Sequence, residues 1–242
     1  MEGVKIDIWS DVVCPWCYIG KRRLEKALAD FEHADDVEIT WHSFELDPTA
    51  PTAPTESVAE YLGRKYGGGE AAGRQMVARV TSVAAQEGLS FERYPDARHA
   101  NTRDAHRLIH LALEVGGSEL QGRLEEALFA ANFERAEDVA DHDVLTAIAV
   151  EVGLPEARAR QVLASRELTD AVDADIAQAV AYGAGGVPFF VFDQRYGVSG
   201  AQPAEVFGQV LQRAWSDAHP PVDVVAGGEV CGPDSGTDGC PV

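Results

Sequence analysis

No stretch of about 18 consecutive apolar residues occurs in the 242-residue sequence, so no helix long enough to cross a bilayer is encoded. The start Met1-Glu2-Gly3-Val4-Lys5 lacks the basic and apolar segments of a secretory leader, and cytoplasmic residence is the expectation. Basic residues are scarce. Twenty Lys and Arg stand against 40 Asp and Glu, a formal net charge of -20, which repels nucleic-acid phosphates and leaves an acidic, solubilising surface. The densest basic run, Lys21-Arg22-Arg23, reads as a solvated helix face rather than a phosphate site. There is no internal repeat. Cysteine is limited to Cys14, Cys17, Cys231 and Cys240, and no second closely spaced Cys or His pair completes the four ligands of a zinc site near the first two. Neither a metal nor an organic cofactor is expected. With 45% hydrophobic residues, the chain can still bury the core of one large domain or two small ones.

What is present is a close thiol pair in Asp11-Val12-Val13-Cys14-Pro15-Trp16-Cys17. Val4, Ile6 and Ile8 alternate with Lys5, Asp7 and Trp9, the period of a strand. From Pro15 the period becomes helical through Tyr18, Ile19, Leu24, Leu28 and Phe31, and proline suits a first helical turn. Cys14 is therefore expected at a helix N-terminus, where unpaired N–H groups and the helix dipole favour a thiolate. That makes Cys14 the attacking sulfur. Cys17, one turn further in, is the more buried thiol that resolves a mixed disulfide. The intervening Pro15-Trp16 lacks a histidine to add positive charge. In a reducing compartment such a pair reads as catalytic rather than structural.

The segment 37–44 alternates as a second strand, giving a βαβ unit with a right-handed crossover. A Pro- and Thr-rich linker follows at 47–55. From there to about residue 182 the pattern is helical, with segments expected at 57–66, 70–87, 102–115, 119–133, 143–152, 156–164 and 167–182. Segments 187–192 and 195–199 read as strands joined at Asp193-Gln194, and 203–215 as a closing helix. The fold class is α/β, a thioredoxin-like fold with a large all-helical domain inserted after the first βαβ unit. Residues 1–50 and 183–216 form its two parts, 51–182 the insert, and 217–242 a Gly- and Asp-rich tail.

The Cys14-Pro15-Trp16-Cys17 motif, Gly186-Val187-Pro188 before an apolar strand and the long helical insert together resemble the DsbA-like thiol oxidoreductases. Ser43-Phe44-Glu45-Leu46-Asp47-Pro48, the run Asn101 to Leu108 and Ser199-Gly200-Ala201-Gln202-Pro203 are most similar to the cytoplasmic FrnE-type branch. The resemblance covers roughly residues 4–215. It implies a cis Val187-Pro188 bond within about 6 Å of Cys14, with the Val187 backbone free to pair with an extended substrate chain. It also implies substrate contacts from Pro15, Trp16, Val187 and Gln202. Gln202 has a plainer reading as a cap of the last helix.

Further roles stay open. Asp7 is either the buried acid that helps deprotonate the inner thiol or an ordinary strand acid. Asn101 and His106 either line a cleft or serve as a helix cap and a packed histidine, and His42 is similar. Cys231 and Cys240 form a second redox pair, a structural disulfide or free thiols. The activity implied is thiol–disulfide oxidoreduction, as oxidase, reductase or isomerase, on protein or peptide substrates, with glutathione a further candidate partner. The alternatives are a glutathione-dependent transferase or isomerase of the kappa-class or chromene-carboxylate type, and a non-catalytic peptide-binding module. No nucleic acid or membrane partner is expected, and oligomeric state is not readable.

Overall fold

The computed structural model describes residues 3–220. The alternating first segment forms β1 (Val4–Ser10), and Pro15 opens α1 (Pro15–Ala29). β2 (Val37–Ser43) lies parallel to β1, with Val4 opposite Val37 and Ser10 opposite Ser43. The chain then leaves the sheet. It returns as β3 (Phe189–Phe192) and β4 (Tyr196–Ser199), both antiparallel to their neighbours, and ends the fold in α8 (Ala204–Ala218). The sheet order is β2-β1-β3-β4. β3 starts at Phe189, two residues later than the pattern predicts, because Pro188 has no N–H to give a strand ladder.

Between β2 and β3 the insert supplies α2 (Val58–Tyr66), α3 (Gly69–Gln86), α4 (Arg103–Ala130), α5 (His142–Glu151), α6 (Glu156–Leu163) and α7 (Thr169–Ala181). The helix starts have visible causes. Ser57 and Glu60 form a reciprocal capping box on α2, and Asp141 accepts from the amides of Asp143 and Val144 at the head of α5. The two helices expected at 102–115 and 119–133 are both there, joined end to end as α4 across a non-helical break. It bends at Gly116 and Gly117, the latter at φ 66°, and passes into a π turn over Ala131–Arg135. Only glycine takes that positive φ without cost.

The buried stripe of α4 decides how the insert sits. Leu120, Gln121, Leu124, Glu125, Leu128 and Phe129 are all buried, and they face the sheet and α1. Gln121 pairs with the exposed edge of β2 as another strand would, accepting from Trp41 N at 2.9 Å and donating to Trp41 O at 2.8 Å. Aromatic rings fill the seam with α1. Tyr18 stacks on Phe129 at 4.9 Å between centroids, and Phe91 on Phe133 at 4.6 Å. Tyr18 is the residue after Cys17, so the helix that carries the thiols is packed directly against the insert.

A second tie joins insert and sheet through α7. The Asp175 carboxylate accepts from Ser43 N at 2.8 Å and meets His42 Nδ1 at 2.8 Å and His110 Nε2 at 3.0 Å. Its carbonyl accepts from Trp9 Nε1 at 2.8 Å.

Candidate active site

Cys14 is the N-cap residue of α1, in extended backbone geometry (φ -87°, ψ 111°). Its side chain makes no capping hydrogen bond. The thiol instead donates to Val187 O at 3.6 Å, across the Val187-Pro188 bond, which is cis. The backbone acceptor that the sequence reading left free for substrate is therefore held by Cys14 itself. Pro188 in turn rests on Gly20 of α1, where an added Cβ would stand 3.1 Å from Pro188 Cγ and 3.2 Å from Phe190 Cζ.

Cys14 and Cys17 are free thiols, 3% and 1% exposed. Burial pushes the Cys17 thiol well up, and the hydrogen bond and charge of Cys14 add to this. The Asp11 backbone N–H and the Ser10 hydroxyl act on the same sulfur in the opposite sense, stabilising its thiolate. Cys17 is thus the thiol that keeps its proton.

Beneath the pair lies a buried polar cluster that the sequence reading did not foresee. The Ser10 hydroxyl donates to Glu125 Oε1 at 2.8 Å. Burial raises the Glu125 carboxyl to about 7, against the His106 charge and the Ser10 hydrogen bond, which pull it down. His106 Nε2 lies 3.6 Å from Asp11 Oδ1 and is buried without a hydrogen-bond partner. Burial opposes the charge of His106, but Asp11, Glu125 and Glu45 together raise its pKa. Asp11 is fixed by the Leu46 amide, which donates to its Oδ2 at 2.8 Å. The Ser43-to-Pro48 motif therefore serves the site by holding this carboxylate. The signal for Glu125 was present: it sits four residues from both Gln121 and Phe129, on the otherwise apolar stripe of α4.

Beside the motif a groove of about 510 Å³ runs between α1 and the α2–α3 pair. Val13, Pro15 and Trp16 line it, together with Leu46, Leu62 of α2, and Met76 and Val80 of α3. Trp16, Leu46 and Met76 are 43%, 48% and 37% exposed, an apolar rim open to a ligand. Buried Tyr94 also lines it. Its phenol is kept protonated by burial and by the charges of Cys14 and Asp11.

Other candidate residues fall elsewhere. Asp7 bonds His42 Nε2 at 2.8 Å, on the flank of the sheet held by Asp175. His42 is stacked on Trp9. Asn101 accepts from Arg103 N at 3.0 Å and reaches Pro48 O, which makes it a turn residue before α4. It does not line the groove next to the thiols. His106 belongs to the buried cluster, not to a cleft wall. Gln202 donates to Ser199 O at 2.9 Å, tying the end of β4. It does not cap α8, whose N-cap is Pro203. Lys21, Arg22 and Arg23 are not a solvated face. The first two pair with Glu25 and Glu126, and Arg23 bonds Glu87 and the Ala201 carbonyl, each at 2.6 Å. Cys231 and Cys240 lie outside the described residues.

Among the described residues no group of three or more His, Cys, Asp or Glu is arranged to hold a metal ion. No helix there is long and apolar enough to cross a membrane.

Known proteins share both the fold and the sequence pattern. A probable DsbA oxidoreductase from Streptomyces coelicolor is 44% identical, with 96% of this chain and 97% of that one covered and a TM-score of 0.82. YwbO, an uncharacterized protein of Bacillus subtilis (strain 168), is 31% identical over 170 residues, 69% of this chain and 75% of that protein. The cytosolic disulfide reductase DsbM from Pseudomonas aeruginosa, solved with GSH, shares the fold at 16% identity and a TM-score of 0.61, over 87% of this chain and 98% of that one. The family model of the DSBA-like thioredoxin domain matches residues 5–212. With that span covering both the thiol motif and the helical insert, the chain belongs to the DSBA-like thioredoxin-domain family.

Proposed function

We propose that the protein is a cytoplasmic thiol–disulfide oxidoreductase acting on protein or peptide substrates, with Cys14 as nucleophile and Cys17 as resolving thiol. The observation that carries this reading is the asymmetry of the pair. Cys14 is the N-cap of α1 with its thiol on Val187 O, beside residues that line the groove, whereas Cys17 lies within the first turn and burial pushes its thiol well up. Attack on a substrate disulfide by the Cys14 sulfur forms a mixed disulfide and releases one substrate thiolate. Cys17 then attacks Cys14 and releases the second. The reverse sequence oxidises a substrate dithiol. An incoming chain that pairs with Val187 O displaces the Cys14 thiol from it, which couples substrate docking to freeing of the nucleophile.

The FrnE-type branch remains the subgroup that the Ser43-to-Pro48 and Ser199-to-Pro203 motifs favour. A glutathione-dependent transferase or isomerase needs no second thiol, and a peptide-binding module needs neither. The test is reduction of a peptide disulfide by the wild type, Cys14→Ser and Cys17→Ser. Cys14→Ser should abolish turnover, and Cys17→Ser should accumulate a mixed disulfide visible by mass spectrometry. Retained turnover in Cys14→Ser sinks the proposal. The reduction potential of the pair in a glutathione buffer then assigns direction, since about 30 mV already shifts a two-electron equilibrium by roughly 1.4 kcal/mol.

A further inference from the structure

The groove beside the thiol motif carries a charge pattern opposite to that of the chain around it. Forty Asp and Glu stand against 20 Lys and Arg in the sequence, yet Lys65, Arg79 and Arg98 all line this groove. All three are exposed. Lys65 donates to the Tyr61 hydroxyl at 2.8 Å and Arg98 to Thr55 O at 3.0 Å, neutral partners that leave both charges uncompensated. Among the described residues none of the three forms a salt bridge, whereas Arg64 and Arg74, on the same two helices but not lining the groove, are paired with Glu56, Glu70 and Asp96. Helical spacing accounts for the arrangement. Val58, Leu62 and Lys65 share one stripe of α2, and Met76, Arg79 and Val80 one stripe of α3, so each helix brings apolar side chains and one cation to the same groove.

The acids that line it are both engaged. Asp11 is 1% exposed and accepts from Leu46 N at 2.8 Å. Asp47 accepts from Thr49 N at 3.0 Å and Thr49 Oγ1 at 2.6 Å, and meets His99 Nε2 at 3.3 Å.

We propose that the groove selects, as the substrate of Cys14, a peptide disulfide with apolar residues beside its cysteine and an Asp or Glu within a few residues of it. The inference rests on the reading of Cys14 as the nucleophile. Val13 and Pro15, the chain neighbours of Cys14, both line the groove, so a chain joined to that sulfur lies at its edge. The exposed faces of Trp16, Leu46 and Met76 take the apolar side chains, and the three cations take the carboxylate. A volume of about 510 Å³ falls within the roughly 300–1,000 Å³ of a ligand pocket. It holds a few side chains of an extended stretch, not a folded domain.

The net charge of -20 does not overrule the local cations. At physiological ionic strength charges more than about 8 Å apart are largely screened, so a carboxylate among Lys65, Arg79 and Arg98 feels them before the rest of the surface. The same screening makes the selection sensitive to salt. The competing occupant is the chain's own segment 221–242, which also combines acids with valines.

The test uses pre-reduced full-length protein in single turnover with cyclic peptide disulfides that differ only beside the cysteines: leucine with glutamate, leucine with glutamine, leucine with lysine, and serine with glutamate. The second-order rate constant of peptide reduction is read by chromatography after acid quench. Each exposed ion pair contributes about two- to fivefold, so the Leu-Glu peptide should react about 10-fold faster than Leu-Gln, and Leu-Lys more slowly than either. Ser-Glu should fall below Leu-Glu by about 10-fold or more through lost apolar burial. Raising KCl from about 20 mM to about 0.5 M should shrink the Glu-over-Gln ratio to about twofold. In the triple variant Lys65→Gln, Arg79→Gln, Arg98→Gln that ratio should fall to about one while the Leu-over-Ser ratio persists, and Arg79→Glu should shift the preference toward Leu-Lys. Ratios within one enzyme cancel any loss of folded protein. Equal rates for Leu-Glu and Leu-Gln in the wild type, which a groove filled by the chain's own acidic segment also gives, overturn the proposal, as does a Glu preference that survives the triple substitution. A wild type that reduces none of the peptides brings down the oxidoreductase reading itself, which is a different result.

Discussion

Replacing His42 by Gln should remove a pH-dependent share of the stability of this fold. The imidazole lies between two carboxylates, 2.8 Å from Asp7 Oδ1 and 2.8 Å from Asp175 Oδ1, with its side chain 17% exposed. Burial opposes its charge, but the hydrogen bonds and charges of Asp175 and Asp7 outweigh that and raise the pKa from 6.5 to about 9. Each pH unit between the folded and unfolded values corresponds to about 1.36 kcal/mol, so the raise is worth roughly 3 kcal/mol. A histidine whose folded pKa lies above its unfolded one stabilises fully below the unfolded value and loses that contribution as pH rises through the folded value. The stability difference between wild type and His42→Gln should therefore be largest near pH 6 and shrink by roughly 3 kcal/mol by about pH 9.5. Urea unfolding of both proteins under reducing conditions measures it, because groups common to both cancel in the difference. A difference that stays flat across that range refutes the assignment of charge to the Asp7–His42–Asp175 bridge.

Arg107 is 4% exposed and donates to the carbonyls of Val162, Ser165 and Glu167 as well as to Asp104, so Arg107→Leu should cost about 3 kcal/mol or more by orphaning buried acceptors. Its urea midpoint reads this directly, and an unchanged midpoint would contradict the bonding described. Met76 lines the groove together with Trp16. Met76→Asp should raise KM several-fold for a disulfide peptide with apolar flanking residues while leaving the rate with hydroxyethyl disulfide unchanged, and equal effects on both would remove the groove from substrate binding.

The sequence made the strands and most helix boundaries legible because local chemistry determines them. Alternation in Val4 to Ser10, proline at the head of α1 and Ser57 with Glu60 before α2 each depend on neighbours a few residues away. What escaped depends on long-range pairing. Asp7 carries two readings in the sequence, and the choice between them depends on its neighbour across the fold, His42. The basic run at Lys21 misled for the same reason: its partners, Glu87 and Glu126, lie more than sixty residues away. Gln121 and Glu125 could have been noticed as polar residues on an apolar stripe, an anomaly that calls for buried partners.

That anomaly explains why the insert cannot be regarded as a lid laid over a self-sufficient thioredoxin unit. Gln121 and Glu125 are one helical turn apart on α4, so the contact that covers the edge of β2 and the one that reaches Ser10 share a single helix position. A shift of α4 along its axis would uncover the Trp41 backbone and withdraw the carboxyl from the thiol site together. Registry is held from two sides, by the Tyr18–Phe129 stack at the seam with α1 and by Asp175 clamping His42 and the Ser43 amide from α7. On this argument, loosening the seam should free the Ser10 hydroxyl and the Trp41 backbone together, because neighbouring turns of α4 hold both.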